Sequence, residues 1–305
     1  VKLKIGKNSK ISLFLLPVSI REEVNRGLSH LFEHLLIRKI PFLIDGYTNE
    51  DYALLKSFRI LTLQGFLKEM REMTINADDL LTEKGTVIAE IREKQTLTNE
   101  MFFTKVWTNT GYSRSPLGEI DSVESITLMM VEEYRSQLLE QGILAIDYLN
   151  NLSQHGFESQ NMESPHPIKR NSLIRFGFDG KKYISVVFSG DRDPLFLIEK
   201  LIHETFPRYS ITHSEKRLAS ALVFEEELRS KFADHELFQK RLKKVRQRFL
   251  KDAAKLQKNS LNFRLNQMES LFFYRKTWMD RLMRIKDMSD EEIFAVMDLV
   301  HAYPS

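Results

Sequence analysis

Two short apolar runs open the chain, Val1–Ile5 and Ile11–Val18, divided by Gly6-Lys7-Asn8, and both are expected as strands. Apolar residues then recur at helical spacing from about Asn25 to Lys39. Pro41 to Leu55 reads as extended, with Gly46 inside it. Helical spacing returns over Ile60–Glu72 and Asn76–Lys94. The second of these has Asn76 as a cap and Asp78 and Asp79 in its first turn, where the helix dipole favours negative charge. A loop holding Thr108, Asn109, Gly111, Ser113, Pro116 and Gly118 follows. A helix beginning at Asp121–Glu124 is then expected to about Leu139, and Gly142–Tyr148 alternates like a strand.

From Ser153 to Asn171 the pattern lapses: Gly156, Ser159, Asn161, Ser164, Pro165 and Pro167 lie among few apolar residues, as in a linker. This divides the chain into a first domain over 1–155, a linker over 156–175 and a second domain over 176–305. In the second, Lys182–Phe188 reads as a strand and Asp193–Phe206 as an amphipathic helix. Three more helices are expected at about Ser220–Gln257, Ser260–Ile285 and Ser289–His301, the last opening with Ser289 and Glu292 in capping-box spacing. The second half therefore reads as strand-poor and helix-rich.

The 305 residues suit two domains at about 150 residues each. Only 12 are Gly, about half the usual share, which agrees with many helices. Cys is absent, so disulfide scaffolds, Cys-based zinc fingers, iron–sulfur clusters and thiol nucleophiles are excluded. With 45 Lys and Arg against 42 Asp and Glu the net charge is +3, too balanced to point to nucleic acid. No run approaches the roughly 18 apolar residues of a membrane span. Lys2, Lys4, Lys7 and Lys10 before Ile11–Val18 imitate a signal peptide, but Pro17 interrupts the run and no small-residue cleavage site follows. A buried strand and a cytoplasmic protein are expected.

The early helix carries His30-Leu31-Phe32-Glu33-His34. Positions i, i+3 and i+4 share a helix face, so two imidazoles and a carboxylate converge. A zinc hydrolase needs such a set: neutral nitrogen ligands and a nearby carboxylate to accept a proton. His-x-x-Glu-His is the inverted order of the commoner zinc motif, the inverzincin pattern.

Its surroundings add to this. Arg26-Gly27-Leu28-Ser29 precedes it, Gly46-Tyr47-Thr48-Asn49-Glu50-Asp51-Tyr52 and then Glu83-Lys84-Gly85-Thr86-Val87-Ile88-Ala89-Glu90-Ile91 follow, and Ser115-Pro116-Leu117-Gly118 comes after. In this order, over about residues 1–150, the motifs resemble those of the pitrilysin/insulinase-type zinc peptidases. The resemblance implies an α+β fold of two related α/β-sandwich domains, each a mostly antiparallel sheet packed against helices. It implies that His30 and His34 are two metal ligands, Glu90 the third and Glu33 the general base, with one Zn2+ per chain. Glu83, two turns before Glu90 on one helix face, would orient a ligand. Glu93, one turn further on, competes with Glu90. The strand near Ile44–Thr48, with Asp45, Gly46 and Tyr47, resembles the edge to which an extended peptide substrate adds by main-chain hydrogen bonds.

Three departures qualify the likeness. His34 and Glu90 are 56 residues apart, shorter than in the family by about one helix and its turn, which opens a wall beside the metal. Asp45 stands where the family usually has Asn, and would disfavour acidic substrate residues. The second half lacks the Arg…Gly-Leu-Ala-Tyr segment that helps bind substrate; Arg208-Tyr209 and Tyr274-Arg275 have the wrong spacing. The chain thus resembles the metal-bearing half of a heterodimeric endopeptidase, with a second peptidase-like subunit supplying the Arg/Tyr pair. Leader removal in bacterial peptide maturation is the analogous task. The rival expectation is a non-catalytic peptide-binding or scaffold subunit.

Eight Lys and Arg between Arg241 and Lys258, against Asp252 alone, read first as a solvated helix face. The sharper reading is a surface for an acidic peptide, acidic partner or nucleic acid. Phe263, Phe272, Phe273, Tyr274 and Trp278 suit a core or interface. The other six histidines have no ligand-like spacing.

Overall fold

The computed structural model describes residues 11–18, 25–57, 61–94, 102, 104–108, 110–147, 152–155, 169–216, 219–256, 260–274 and 278–302. The strand expected at Val1–Ile5 lies outside them. Contacts divide the chain into two units, 1–159 with 260–268 and 160–259 with 269–305.

The first unit is built on β1 (Ser12–Pro17), β2 (Leu43–Thr48), β3 (Tyr52–Ser57), β4 (Ile143–Ile146) and β5 (Leu152–His155), in the order β2-β3-β1-β4-β5, all antiparallel. The apolar run Ser12–Pro17 is buried throughout because it is the middle strand. Its helices are α1 (Leu28–Lys39), α2 (Leu63–Glu72), α3 (Ala77–Lys94), α4 (Ile120–Ser125) and α5 (Leu128–Gln141). Phe14 and Leu16 of β1 belong to one core with Leu31, Phe32, Leu35 and Leu36 of α1 and Phe66, Leu67 and Met70 of α2. Phe14 and Phe66 stack with centroids 4.4 Å apart. Burying each such side chain contributes about 1.5–3 kcal/mol.

Two expectations in this unit are corrected. The helix expected from Asp121 to Leu139 is broken, because Ile126 is extended and the Thr127 hydroxyl accepts from the Met130 N–H, which starts α5 anew. Residues 153–155, where the linker-like composition begins, belong to β5, which pairs with β4.

The second unit holds β6 (Lys169–Phe178), β7 (Lys181–Ser189), β8 (Ile211–Glu215) and β9 (Ser220–Glu225), antiparallel in the order β6-β7-β9-β8. Asp179 and Gly180, both at positive φ, make the two-residue turn between β6 and β7. With them are α6 (Asp193–Thr205), α7 (His235–Leu256), α9 (Trp278–Asp287) and α10 (Asp290–His301), while α8 (Ser260–Tyr274) spans the division. Of the expected linker, 156–168 lies outside the described residues and 169–175 is strand. The helix expected from Ser220 gives way to β9, a continuously buried strand between β7 and β8, and β8 was not expected. The helix expected over Ser260–Ile285 is two, α8 and α9. Helix α10 opens as expected, with reciprocal bonds between Ser289 and Glu292. The architecture is α+β, two antiparallel sheets packed against helices; the second half is helix-rich as expected but not strand-poor, since it carries a four-stranded sheet.

Candidate metal centre

Helix α1 begins at a contact that only glycine allows. Gly27 and Gly118 have φ of 102° and 93°, and a Cβ on Gly118 would lie 2.4 Å from the Gly27 Cα. This approach seats the Pro116-Leu117-Gly118 loop on the helix N-terminus, where Arg26 and Glu119 also pair. It brings the Leu117 carbonyl oxygen 3.3 Å from His30 Nδ1.

Helices α1 and α3 pack together and face one another through polar stripes at helical spacing. His30 Nε2 lies 3.5 Å from Glu90 Oε2, and His34 Nε2 lies 3.5 Å from Glu90 Oε1. One donor atom from each of His30, His34 and Glu90 fits within a 4.8 Å span, and no other such cluster occurs among the described residues. One turn along, His34 Nδ1 is 3.3 Å from Glu83 Oε2. The Leu117 carbonyl and the Glu83 carboxylate both call for Nδ1–H, which leaves the Nε2 lone pairs turned towards Glu90. Burial pushes His30 down to about 4, and the neighbouring His34 adds to this against the opposing pull of Glu90. A neutral ring at pH 7 can act as a ligand. Two imidazoles, one carboxylate and hydrogen-bonded outer nitrogens form a donor set that fits a zinc-type dication with a coordination position to spare.

Glu33 faces the same space from the next register of α1. It is buried, 4% exposed, and accepts a 2.8 Å hydrogen bond from the Thr48 hydroxyl. Gly46 makes room for it, since a Cβ there would lie 2.8 Å from Glu33 Oε1. Burial raises the Glu33 carboxyl to about 7; the Thr48 bond works against that, and the charges of Glu90 and Asp45 add to it. Such a group gives and takes protons near neutrality.

The structure thus brings together His30, Glu33, His34, Glu83 and Glu90. Glu93 is exposed, away from the cluster. Strand β2 is the edge of the described sheet, with Ile44 and Tyr47 exposed. Gly46 and Thr48 face Glu33, whereas Asp45 is bonded to Lys56 of β3 at 2.6 Å and the Tyr47 hydroxyl lies 3.1 Å from that of Tyr52. The charge expected to act on substrate at Asp45 is therefore largely offset by Lys56. Sequence reasoning overlooked Thr48, the Leu117 carbonyl, Arg38 and Asp79. The signal for the last two was spacing: Arg38 follows His34 by one turn, and Asp79 precedes Glu83 by one turn. The basic helix reading is also altered. In α7, Lys244 and Arg248 bind Glu204, Arg241 donates to the Glu204 carbonyl, and Arg246 binds Asp290.

No protein-family model matches the chain. No curated protein matches it either. Solved structures do. A protease from Helicobacter pylori matches with a TM-score of 0.67 at 16% identity, over 98% of this chain and 95% of that one. A protein described as an M16-like peptidase from Alicyclobacillus acidocaldarius matches with a TM-score of 0.67 at 10% identity, over 94% and 89%. An inactive M16 peptidase domain from Pseudomonas fluorescens matches with a TM-score of 0.54 at 11% identity, over 95% and 89%. At these identities the likeness is one of architecture: the chain has the fold of the M16-like peptidases.

Proposed function

We propose that this chain is the metal-bearing subunit of a zinc-dependent endopeptidase. The observation that carries the reading is the convergence of His30, His34 and Glu90 beside the buried carboxyl of Glu33. When bound, a zinc ion would supply Lewis-acid polarisation of a peptide carbonyl and acidify water. His30 and His34 would hold it through Nε2, and Glu90 through its carboxylate. Glu33 takes a proton from the attacking water and returns it to the leaving amine, with Thr48 fixing its carboxylate. The β2 edge of the described sheet binds an extended peptide by main-chain hydrogen bonds, which reads backbone more than side chain. A second peptidase-like subunit completes the site with an Arg/Tyr pair. Removal of a leader from a ribosomally made peptide in the cytoplasm is the task we assign to the pair.

The test is Glu33→Gln. The purified chain should hold about one zinc, and the variant should keep it while cleavage by the assembled pair falls by about 10²–10⁴. Cleavage retained in the variant would sink the mechanism.

A second reading is a non-catalytic peptide-binding subunit. Only residues 40–42 separate α1 from β2, so no helix lies between them to wall the site there. Peptide binding by the pair without metal-dependent turnover would favour this reading.

A further inference from the structure

Beyond the five residues assigned to the centre, the facing stripes of α1 and α3 continue for another turn. Arg38, four residues after His34, donates from Nη1 to Glu83 Oε1 at 3.0 Å and from Nε to Asp79 Oδ1 at 3.1 Å. Glu83 turns its other oxygen, Oε2, to His34 Nδ1. Asp79 is itself anchored: its Oδ2 accepts from the Asn76 N–H at 3.0 Å and from Lys39 Nζ at 2.8 Å. The Asp79 and Glu83 side chains are about one-tenth exposed, whereas that of Arg38 is 41% exposed. Two nearly buried carboxylates on adjacent turns repel unless a cation stands between them, and the planar guanidinium of Arg38 meets each from a separate nitrogen held in a fixed fork, where an ammonium would have to reach both from one nitrogen. The chain Asp79–Arg38–Glu83–His34 therefore runs without a gap from the capped start of α3 to a metal-facing imidazole.

We propose that Arg38 is a positioning residue of the metal centre. By bridging Asp79 and Glu83 it aims Glu83 Oε2 at His34 Nδ1, and so keeps the His34 Nε2 lone pair on the metal side. This rests on the metalloenzyme reading, but its core is a statement about His34 that holds without metal.

The test uses the full chain. The tautomer of His34 in the metal-free protein is read from its nitrogen chemical shifts, and zinc affinity from competition with a chelator. Wild type should show Nδ1–H at His34. Arg38→Met should show mixed tautomers and about 10- to 100-fold weaker zinc binding, and Arg38→Lys should recover part of both. Lys39→Met removes a cation from Asp79 without touching Glu83, so its affinity should fall less. An unchanged tautomer and affinity in Arg38→Met, or an equal loss in Lys39→Met, would overturn the proposal. Should Arg38→Met fail to fold, Arg38→Gln decides in its place: a wild-type tautomer and affinity there would show that the cationic bridge is not needed. A wild-type chain that bound no zinc would defeat the metalloenzyme reading, while the His34 shifts would still judge Arg38.

Discussion

At the scale of single residues, Glu33 is a carboxyl taken out of water and given a donor, the Thr48 hydroxyl at 2.8 Å. Valine has nearly the shape of threonine without the hydroxyl, so Thr48→Val isolates that bond. A hydrogen bond to a charged group contributes about 1.5–3 kcal/mol, which corresponds to roughly a 10- to 100-fold fall in cleavage rate. Zinc content should stay at the wild-type level, because Thr48 is bonded to Glu33 and not to His30, His34 or Glu90, the three proposed ligands. Equal losses of metal and activity would show instead that the strand had moved. Of the five central residues, His30, Glu33 and His34 were legible because helical spacing turns a local pattern into shared direction, whereas Glu83 and Glu90 were reached only through the family resemblance. Thr48 stood in the quoted motif, yet its role was not legible, since it depends on β2 crossing beside α1. The Leu117 carbonyl was less visible still: backbone carbonyls carry no sequence signature, and only the Gly27–Gly118 contact puts this one beside His30.

At the scale of elements, α3 shows how a helix start serves a site. The Asn76 side chain accepts from the Asp79 N–H at 2.8 Å, and Asp79 accepts in return from the Asn76 N–H at 3.0 Å, a reciprocal cap. That N–H, with Lys39 and Arg38, holds the Asp79 carboxyl down to about 2, below the ordinary value of about 3.9. The folded state therefore gains from this ionisation above about pH 4, and the gain is lost as pH falls from there towards 2. The difference in melting temperature between wild type and Asp79→Ala should accordingly be full at pH 6 and narrow towards pH 2. A gap of constant size would show that the cap, and not the charge, is what matters. Elements with a clean period, such as α1, α2, α3 and α6, could be read in advance. Strand β9 could not, because a run as short as Ala221–Phe224 suits a buried helix or a buried strand equally. Its pairing with β7 and β8 on either side decides the matter through residues distant in sequence.

At the scale of the whole molecule, the two units use their charges differently. The first turns them towards the cluster of His30, His34 and Glu90, which could hold a metal ion, and among the described residues no comparable cluster lies in the second. There the buried charges join elements to one another. Arg281 of α9 reaches Asp193 at the start of α6 at 2.5 Å and Glu215 of β8 at 2.6 Å. Asp193 is buried, and that burial raises its carboxyl against the opposing pull of Arg281. Removing the guanidinium would leave this carboxylate without its counter-charge, so Arg281→Met should cost about 3–5 kcal/mol, as breaking a buried pair generally does. An acid whose folded value is raised stabilises the fold in its neutral form. The deficit of Arg281→Met should therefore be larger at pH 7, where the stranded carboxyl is driven to ionise, than at pH 4, where a proton relieves it. Adding Asp193→Asn to Arg281→Met removes the stranded charge and should recover much of the loss at pH 7. Chemical denaturation of the three variants at both pH values tests this. A deficit independent of pH and untouched by Asp193→Asn would mean that Arg281 acts through packing against Trp278, whose ring lies 5.8 Å from its guanidinium carbon, rather than through charge.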